Sequence, residues 1–341
     1  MSLTMTSRPS AGVERHDEIL SIKQLRTTLG SRPGGVTVVD GVDLSVRRGK
    51  TLGIVGESGC GKSMLSLSVM GLVPPPCRLE GRIEFSGRNL LDVSPAEMRR
   101  IRGNRIAMIF QEPMTSLNPV LTVGFQIVEA MRAHDRKSSY EVLRRRAIEA
   151  LVQVRMPAAE RRFDEYPHQL SGGMRQRAAI AMALSCKPEV LIADEPTTAL
   201  DVTVQAEILD LLRDLQQETN MAIVLITHDL GVVAQVADEV AVMYAGRIAE
   251  KASCDALFAD PQHPYTLGLL GSIPRMDQAA TRLLAIDGVV PPVASMPPGC
   301  RFHPRCVFSG QECTRQRPEL TAVADGHAVA CLKAPIEEGQ S

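Results

Sequence analysis

The sequence predicts an α/β fold around a largely parallel sheet, and three observations carry that expectation. Short, wholly apolar runs alternate with stretches long enough for helices. One of these runs leads through a glycine-rich turn into a helix, and another ends in two adjacent carboxylates. Strands buried on both faces read as continuous apolar runs, and helical crossovers join parallel neighbours. Residues 51–55 form the first such strand, followed by a helix over residues 62–72. Residues 80–86 and 105–110 read as strands, and 123–133 and 140–154 as helices with no strong strand between them. A helix over 173–185, a strand over 190–193, a helix over 203–217 and a strand over 221–227 continue the alternation. Residues 240–244 and 247–251 read as a hairpin turning at Ala245-Gly246.

Residues 1–17 read as a loose polar tail, and 18–255 as the main domain with an all-helical insertion at about 116–175. After residue 255 the texture changes. Pro261, Pro264, Pro274, Pro291, Pro292, Pro297 and Pro298 punctuate the chain, and four of its eight cysteines follow. A linker and a small C-terminal domain are expected there. No internal repeat is visible.

Composition removes several function classes. The 341 residues carry 38 basic and 39 acidic side chains, so no overall field draws the chain to nucleic acid or membrane. Four Tyr, seven Phe and no Trp argue against a base-stacking platform for single strands. No apolar run reaches the roughly 18 residues that a membrane span needs. The first ten residues lack an apolar core, so the chain is expected to stay in the cytoplasm. In a reducing compartment, clustered cysteines suggest metal rather than disulfides.

Gly56-Glu57-Ser58-Gly59-Cys60-Gly61-Lys62-Ser63 fits the P-loop pattern. Glycines let the backbone curl so that several N–H groups converge on one anion, and the following helix adds its positive end. Lys62 would neutralise the β- and γ-phosphates of a bound nucleotide, and the Ser63 hydroxyl would ligate Mg²⁺. The apolar run ending in Asp194-Glu195 supplies the second element, at the carboxyl edge where open α/β sheets bind ligands. Asp194 would hold the Mg²⁺ shell and Glu195 would polarise the attacking water. Two adjacent carboxylates repel, and a nearby cation accounts for them.

Leu170-Ser171-Gly172-Gly173-Met174-Arg175-Gln176, between these elements, resembles the signature motif of ATP-binding cassette (ABC) ATPases. Other matches fall in family order. Gln111 resembles the Q-loop glutamine, Ala199-Leu200-Asp201 the D-loop, and His228 the switch histidine that meets the γ-phosphate. The resemblance implies an ABC cassette: a P-loop NTPase with a RecA-like core and a helical subdomain, followed by a small cysteine-containing domain. It implies a head-to-tail dimer that clamps ATP between the P-loop of one subunit and the signature of the other. Lys62, Ser63, Gln111, Asp194, Glu195 and His228 would then serve one site, with Gln111 sensing Mg²⁺, and Ser171 and Gly173 the opposite site. One departure stands out. The family usually stacks an aromatic on adenine near the first strand, yet residues 24–36 contain no Phe, Tyr or Trp. Leu29 or Val36 would provide apolar contact instead, and weak base selectivity is expected.

The long segment from Phe110 to Pro119, Val202-Thr203-Val204-Gln205 after the D-loop, and His263-Pro264-Tyr265-Thr266 resemble the dipeptide, oligopeptide and nickel importer branch. Met174 resembles its dipeptide/oligopeptide "D" subunit type. The implied assembly has a paralogous second ATPase (or a homodimer), two transmembrane permeases and an extracytoplasmic binding protein, with this chain peripheral on the cytoplasmic face of the inner membrane. The implied cargo is di- or oligopeptide, with a nickel chelate as the alternative. A soluble ABC-type ATPase acting on DNA or ribosomes fits less well, because neither a second cassette nor a basic balance is present.

Cys300, Cys306, Cys313 and Cys331 are separated by 5, 6 and 17 residues. Four thiolates can close a metal site, but this spacing is not that of a paired C-x₂-C zinc ribbon. The branch resemblance points to a structural [4Fe–4S] cluster on these four, with Zn²⁺ as the alternative.

Overall fold

The computed structural model describes residues 17–31, 34–111, 117–198, 200–272 and 286–336. The tail before residue 17, residues 112–116 of the segment after Gln111, Ala199 and Pro274 lie outside the described residues. Strands β1 (Glu18–Leu29), β2 (Val36–Arg47) and β3 (Thr51–Val55) lead into helix α1 (Lys62–Met70). Then come β4 (Cys77–Phe85), β5 (Arg88–Asn89), α2 (Pro95–Ile101) and β6 (Ile106–Ile109). A helical stretch follows, with α3 (Val123–Arg132), α4 (Tyr140–Gln153), α5 (Ala159–Phe163) and α6 (Gly172–Leu184). Alternation resumes with β7 (Val190–Asp194), α7 (Val202–Thr219), β8 (Ala222–Thr227) and α8 (Leu230–Val236). The hairpin of β9 (Glu239–Tyr244) and β10 (Arg247–Ser253) leads to α9 (Cys254–Ala259) and α10 (Pro264–Gly271). After residue 286 come α11 (Gln311–Arg315) and the hairpin of β11 (Thr321–Ala324) and β12 (His327–Val329).

Local chemistry sets the boundaries. The side chains of Thr122, Ser139, Ser171 and Asp201 accept from backbone N–H groups in the first turns of α3, α4, α6 and α7. The β9–β10 turn is made by Ala245 at φ 45° and Gly246 at φ 85°, the paired positive φ of a two-residue hairpin turn.

Among the described residues the strands form two sheets. The larger has the order β11-β12-β10-β9-β3-β8-β7-β6. Its stretch from β9 to β6 is parallel, as expected, and its β12-β10-β9 side is antiparallel. The smaller sheet, β2-β1-β4-β5, is antiparallel throughout and was not foreseen. It packs over α1 and the larger sheet through one apolar core containing Leu25, Val42, Ile54, Leu65, Ile83 and Val224. The helical stretch has its own core, centred on Ile127, Leu143, Leu151 and Phe163, which continues under β7 and α7.

The stretch after residue 255 is not set apart from this body. Strand β12 pairs with β10 and so extends the main sheet. Tyr265 and Phe302 share a core with Val55 and Tyr244, and the Tyr244 and Phe302 rings meet edge to face at 5.1 Å. The buried Glu250 carboxylate on β10 accepts from the backbone N–H groups of Gln262 and His263 and pairs with His327 at 2.7 Å. Among the described residues, no helix is long and apolar enough to cross a membrane.

Candidate functional site

The strand order brings the sequence motifs together. Strand β3 is buried along its whole length and lies between β8 and β9, with Val55 level with Thr227. Strand β7 is next, with Asp194 level with Ile226, and β6 lies beyond it. The chain therefore leaves the carboxyl ends of neighbouring strands at Gly56, His228, Glu195 and Gln111, in one row at the sheet edge.

The loop after β3 needs its glycines. Gly56 sits at φ 152° and a Cβ there would stand 2.2 Å from the Met243 carbonyl oxygen. Gly61 sits at φ 108° with the Val38 carbonyl oxygen at 2.8 Å from such a Cβ. Gly61 is also the residue before α1 and offers no side chain to cap it. The first N–H groups of α1 are thus left for an anion.

Lys62 is 6% exposed, and its ammonium donates to the carbonyls of Gly56 at 2.6 Å and Glu57 at 3.1 Å. A cleft is lined by Ser58, Gly59, Gly61, Lys62 and Ser63 together with Gln111 and Glu195. Its remaining wall includes Val38, Ala245, Gly246, Val293 and Met296. Val38, rather than Leu29 or Val36, is the residue of the first two strands on this cleft. The Cys60 thiol is buried, and burial raises its pKa despite the neighbouring Lys62.

Glu195 is held from three sides. Thr198 Oγ1 donates to one carboxylate oxygen at 2.8 Å, and Gln111 Nε2 donates to the same oxygen at 3.2 Å. His228 Nδ1 lies 3.2 Å from the other. Burial works to raise the Glu195 carboxyl, but the Thr198 and His228 hydrogen bonds and the nearby Lys62 charge outweigh it and its pKa falls. The backbone of Glu195 is at φ 47°, a strained conformation for a non-glycine residue, and its N–H donates to Ile226 O at 2.8 Å. Asp194 behaves oppositely: burial and the Glu195 charge raise it, against a hydrogen bond from Ser63 and the Lys62 charge.

Asp194 Oδ1 is buried and has no hydrogen-bond partner. An orphaned carboxylate oxygen beside a hydroxyl is the donor set a Mg²⁺ ion takes. Mg²⁺ keeps waters and phosphate oxygens and needs only one or two protein ligands. The residues present fit the ion.

Ser171, Gly172 and Gly173 open α6, with Ser171 Oγ accepting from Met174 N. They do not line the cleft with the P-loop residues. Asp201 caps α7 by accepting from Val204 N at 2.9 Å.

The sequence motifs name Gln176, Tyr265 and Glu57, but not the long-range contacts through which they and Arg305 brace the site. Buried Gln176 donates to Pro196 O at 2.5 Å and ties α6 to the loop carrying Glu195. The Tyr265 hydroxyl accepts from Glu57 N at 2.8 Å. Arg305, whose side chain is 4% exposed, grips both Glu57 carboxylate oxygens at 2.6 and 3.0 Å. Glu57 is thus turned toward the C-terminal segment. None of these contacts leaves a trace in local sequence pattern, because their partners are 20 to 248 residues away.

A forked arginine–carboxylate pair is short, charge-assisted and hard to replace. Arg305→Ala is expected to lower unfolding stability by about 1–3 kcal/mol, because Glu57 loses its partner. Arg305→Lys should recover only part of that in denaturant titrations; full recovery would show that the fork is not needed.

The four-cysteine expectation fares differently. Cys300, Cys306, Cys313 and Cys331 lie near one another, and Cys300 N donates to Cys313 O at 2.8 Å. Yet among the described residues no group of three or more His, Cys, Asp or Glu side chains is placed to hold a metal ion. The expected iron–sulfur or zinc ligand set is therefore not supported. None of the four is in a disulfide. Burial, with added repulsion from the other cysteines, pushes Cys300 and Cys331 up and Cys306 to about 11.

Comparison with known proteins fits this geometry. Residues 39–198 match the family model described as ABC transporter. Residues 249–313 match the model described as oligopeptide/dipeptide transporter, C-terminal region. The dipeptide transport ATP-binding protein DppD of Bacillus subtilis is 51% identical over 317 residues, covering 92% of this chain and 94% of that protein. The chain belongs to the ABC transporter ATP-binding proteins. This cassette is also 46% identical to the oligopeptide transport ATP-binding protein OppD of Escherichia coli, over 99% of both chains. Among solved structures, the dimeric bacterial ABC transporter cassette MJ0796 superposes with a TM-score of 0.62 at 30% identity, covering 69% of this cassette and 98% of that chain. The same MJ0796 cassette in a post-hydrolysis state with ADP and Pi also gives 0.62.

Proposed function

We propose that this cassette hydrolyses ATP to drive import of di- or oligopeptides through a membrane complex. The observation that carries the chemistry is the Glu195 carboxylate, fixed by Thr198, Gln111 and His228 on a cleft lined by Lys62 and Ser63. The peptide cargo rests on the relatives named for dipeptide and oligopeptide transport, matched over nearly the whole length.

In this reading the phosphates lie over the N–H groups of residues 58–63. Lys62 turns its ammonium from the Gly56 and Glu57 carbonyls to the phosphates, trading dipole partners for full charges. Ser63 and Asp194, with Gln111, would hold Mg²⁺, which would supply charge neutralisation at the phosphates. Glu195 accepts a proton from the attacking water, and its lowered pKa keeps it ionised at neutral pH. His228 orients that carboxylate and faces the γ-phosphate.

Ser171 and Gly173 lie off this cleft, so they would complete the site of a second cassette in a head-to-tail pair. The partner is a paralogous ATPase subunit. Two permease subunits and an extracytoplasmic binding protein complete the assembly, with the cassette on the cytoplasmic face of the inner membrane.

The test is uptake of labelled di- and oligopeptides and of nickel in cells lacking this chain, complemented with wild type or Glu195→Gln. Peptide uptake rescued by wild type alone is the expected result. Intact peptide uptake with lost nickel uptake would move the cargo to a metal chelate.

A further inference from the structure

The phosphate cleft continues onto an apolar wall formed from two distant parts of the chain. Val38 comes from β2, and its carbonyl lies close against Gly61 and Gly246. Val293 and Met296 come from the C-terminal segment, in and just after a 3₁₀ turn over Val293–Ser295. That turn packs against β2. Met296 rests on the core that contains Tyr244 and Phe302.

Arg305 ties the part of the C-terminal segment after residue 286 to the phosphate loop, beside the Tyr265 hydroxyl that accepts from Glu57 N. Arg305 donates to the carbonyls of Asp287 at 2.8 Å, Gly288 at 3.3 Å and Ile286 at 3.4 Å while gripping Glu57. Its guanidinium fixes the start of the strap that carries Val293 and Met296 relative to the loop that would hold the phosphates.

We infer that Val38, Val293 and Met296 form the subsite for the nucleotide base, so that the C-terminal segment supplies part of the ATP site. This rests on the nucleotide reading of the P-loop cleft and deepens it. A purine is a flat ring with apolar faces, and two valines and a polarisable thioether suit such a face. None of the three side chains carries a strong hydrogen-bonding group to read the ring edge. The wall therefore contributes affinity for purines without separating adenine from guanine.

The experiment measures binding of ATP, GTP and tripolyphosphate (a triphosphate with no base) to the full chain with Mg²⁺. Met296→Ala and Val293→Ala are each expected to weaken ATP by about three- to tenfold, from the apolar contact removed. GTP should weaken by the same factor, and tripolyphosphate should not change. Because tripolyphosphate reports an intact phosphate loop in the same variant, misfolding is told apart from loss of the base contact. Unchanged ATP affinity in both variants would overturn the inference. So would an equal loss for ATP and tripolyphosphate, which would reduce the segment to a support for the loop. If Lys62→Ala bound both ligands as wild type does, the nucleotide reading itself would fall, and the inference with it.

Discussion

Glu195→Gln should bind ATP within about twofold of wild type and lose turnover by about 10²- to 10⁴-fold, the usual contribution of a positioned general base. The amide has nearly the shape of the carboxylate. It can still accept from Thr198, and Ser63, Lys62 and Asp194 are untouched. What disappears is the proton acceptor. The variant should therefore accumulate as an ATP-loaded, closed pair of cassettes, seen as a slow-releasing nucleotide and a larger species in gel filtration. Turnover near wild type would remove Glu195 from its role. The strained backbone at this position makes the role more probing to test: φ 47° at a glutamate is maintained by the surrounding contacts and not by local preference.

Lys62→Ala acts on binding instead. The ammonium is almost wholly buried and is held by two backbone carbonyls. Deleting it removes the one side-chain cation lining the cleft among the described residues. Losing a desolvated charge pair typically costs about 2–5 kcal/mol, or roughly 30- to 4,000-fold in affinity. Lys62→Arg should not restore binding, because a planar fork cannot occupy the space of a compact ammonium. Equilibrium binding of a fluorescent ATP analogue reads both variants, and unchanged affinity in Lys62→Ala would count against the P-loop assignment.

The parallel half of the fold was legible because buried strands such as β3, β7 and β8 are short, almost wholly apolar runs that stop abruptly at Gly56, Asp194 and His228. The ligand-facing ends of those strands were legible for the same reason. Residues 56–63, Asp194, Glu195 and His228 stand where apolar runs stop. The second sheet was hidden. In β1, Lys23, Gln24 and Arg26 interrupt the apolar pattern, and the pairing register shifts around Gln24, itself at φ 49°. A bulge of this kind resets which residues face inward and defeats a simple alternation.

The C-terminal segment was harder still. Its prolines and cysteines suggested a linker and a small C-terminal domain with a metal site. What binds it in place is long-range: β12 on β10, Phe302 on Tyr244, Arg305 on Glu57, Arg301 on Asp40 at 2.6 Å. Cysteine spacing alone does not establish a metal cage, since free cysteine also packs well in apolar surroundings. The wall made by Val293 and Met296 was invisible for a similar reason. Nothing in a proline-rich stretch says that its apolar residues face a phosphate loop more than 200 positions earlier.

The central claim is that hydrolysis at the Glu195 cleft powers peptide entry. Its most direct test is the assembled transporter in sealed vesicles, with ATP consumption and labelled-peptide accumulation followed in the same sample. Wild type is predicted to consume ATP in proportion to peptide taken up, and Glu195→Gln is predicted to abolish both while still binding ATP. Continued peptide accumulation by the Glu195→Gln complex without ATP consumption would contradict it.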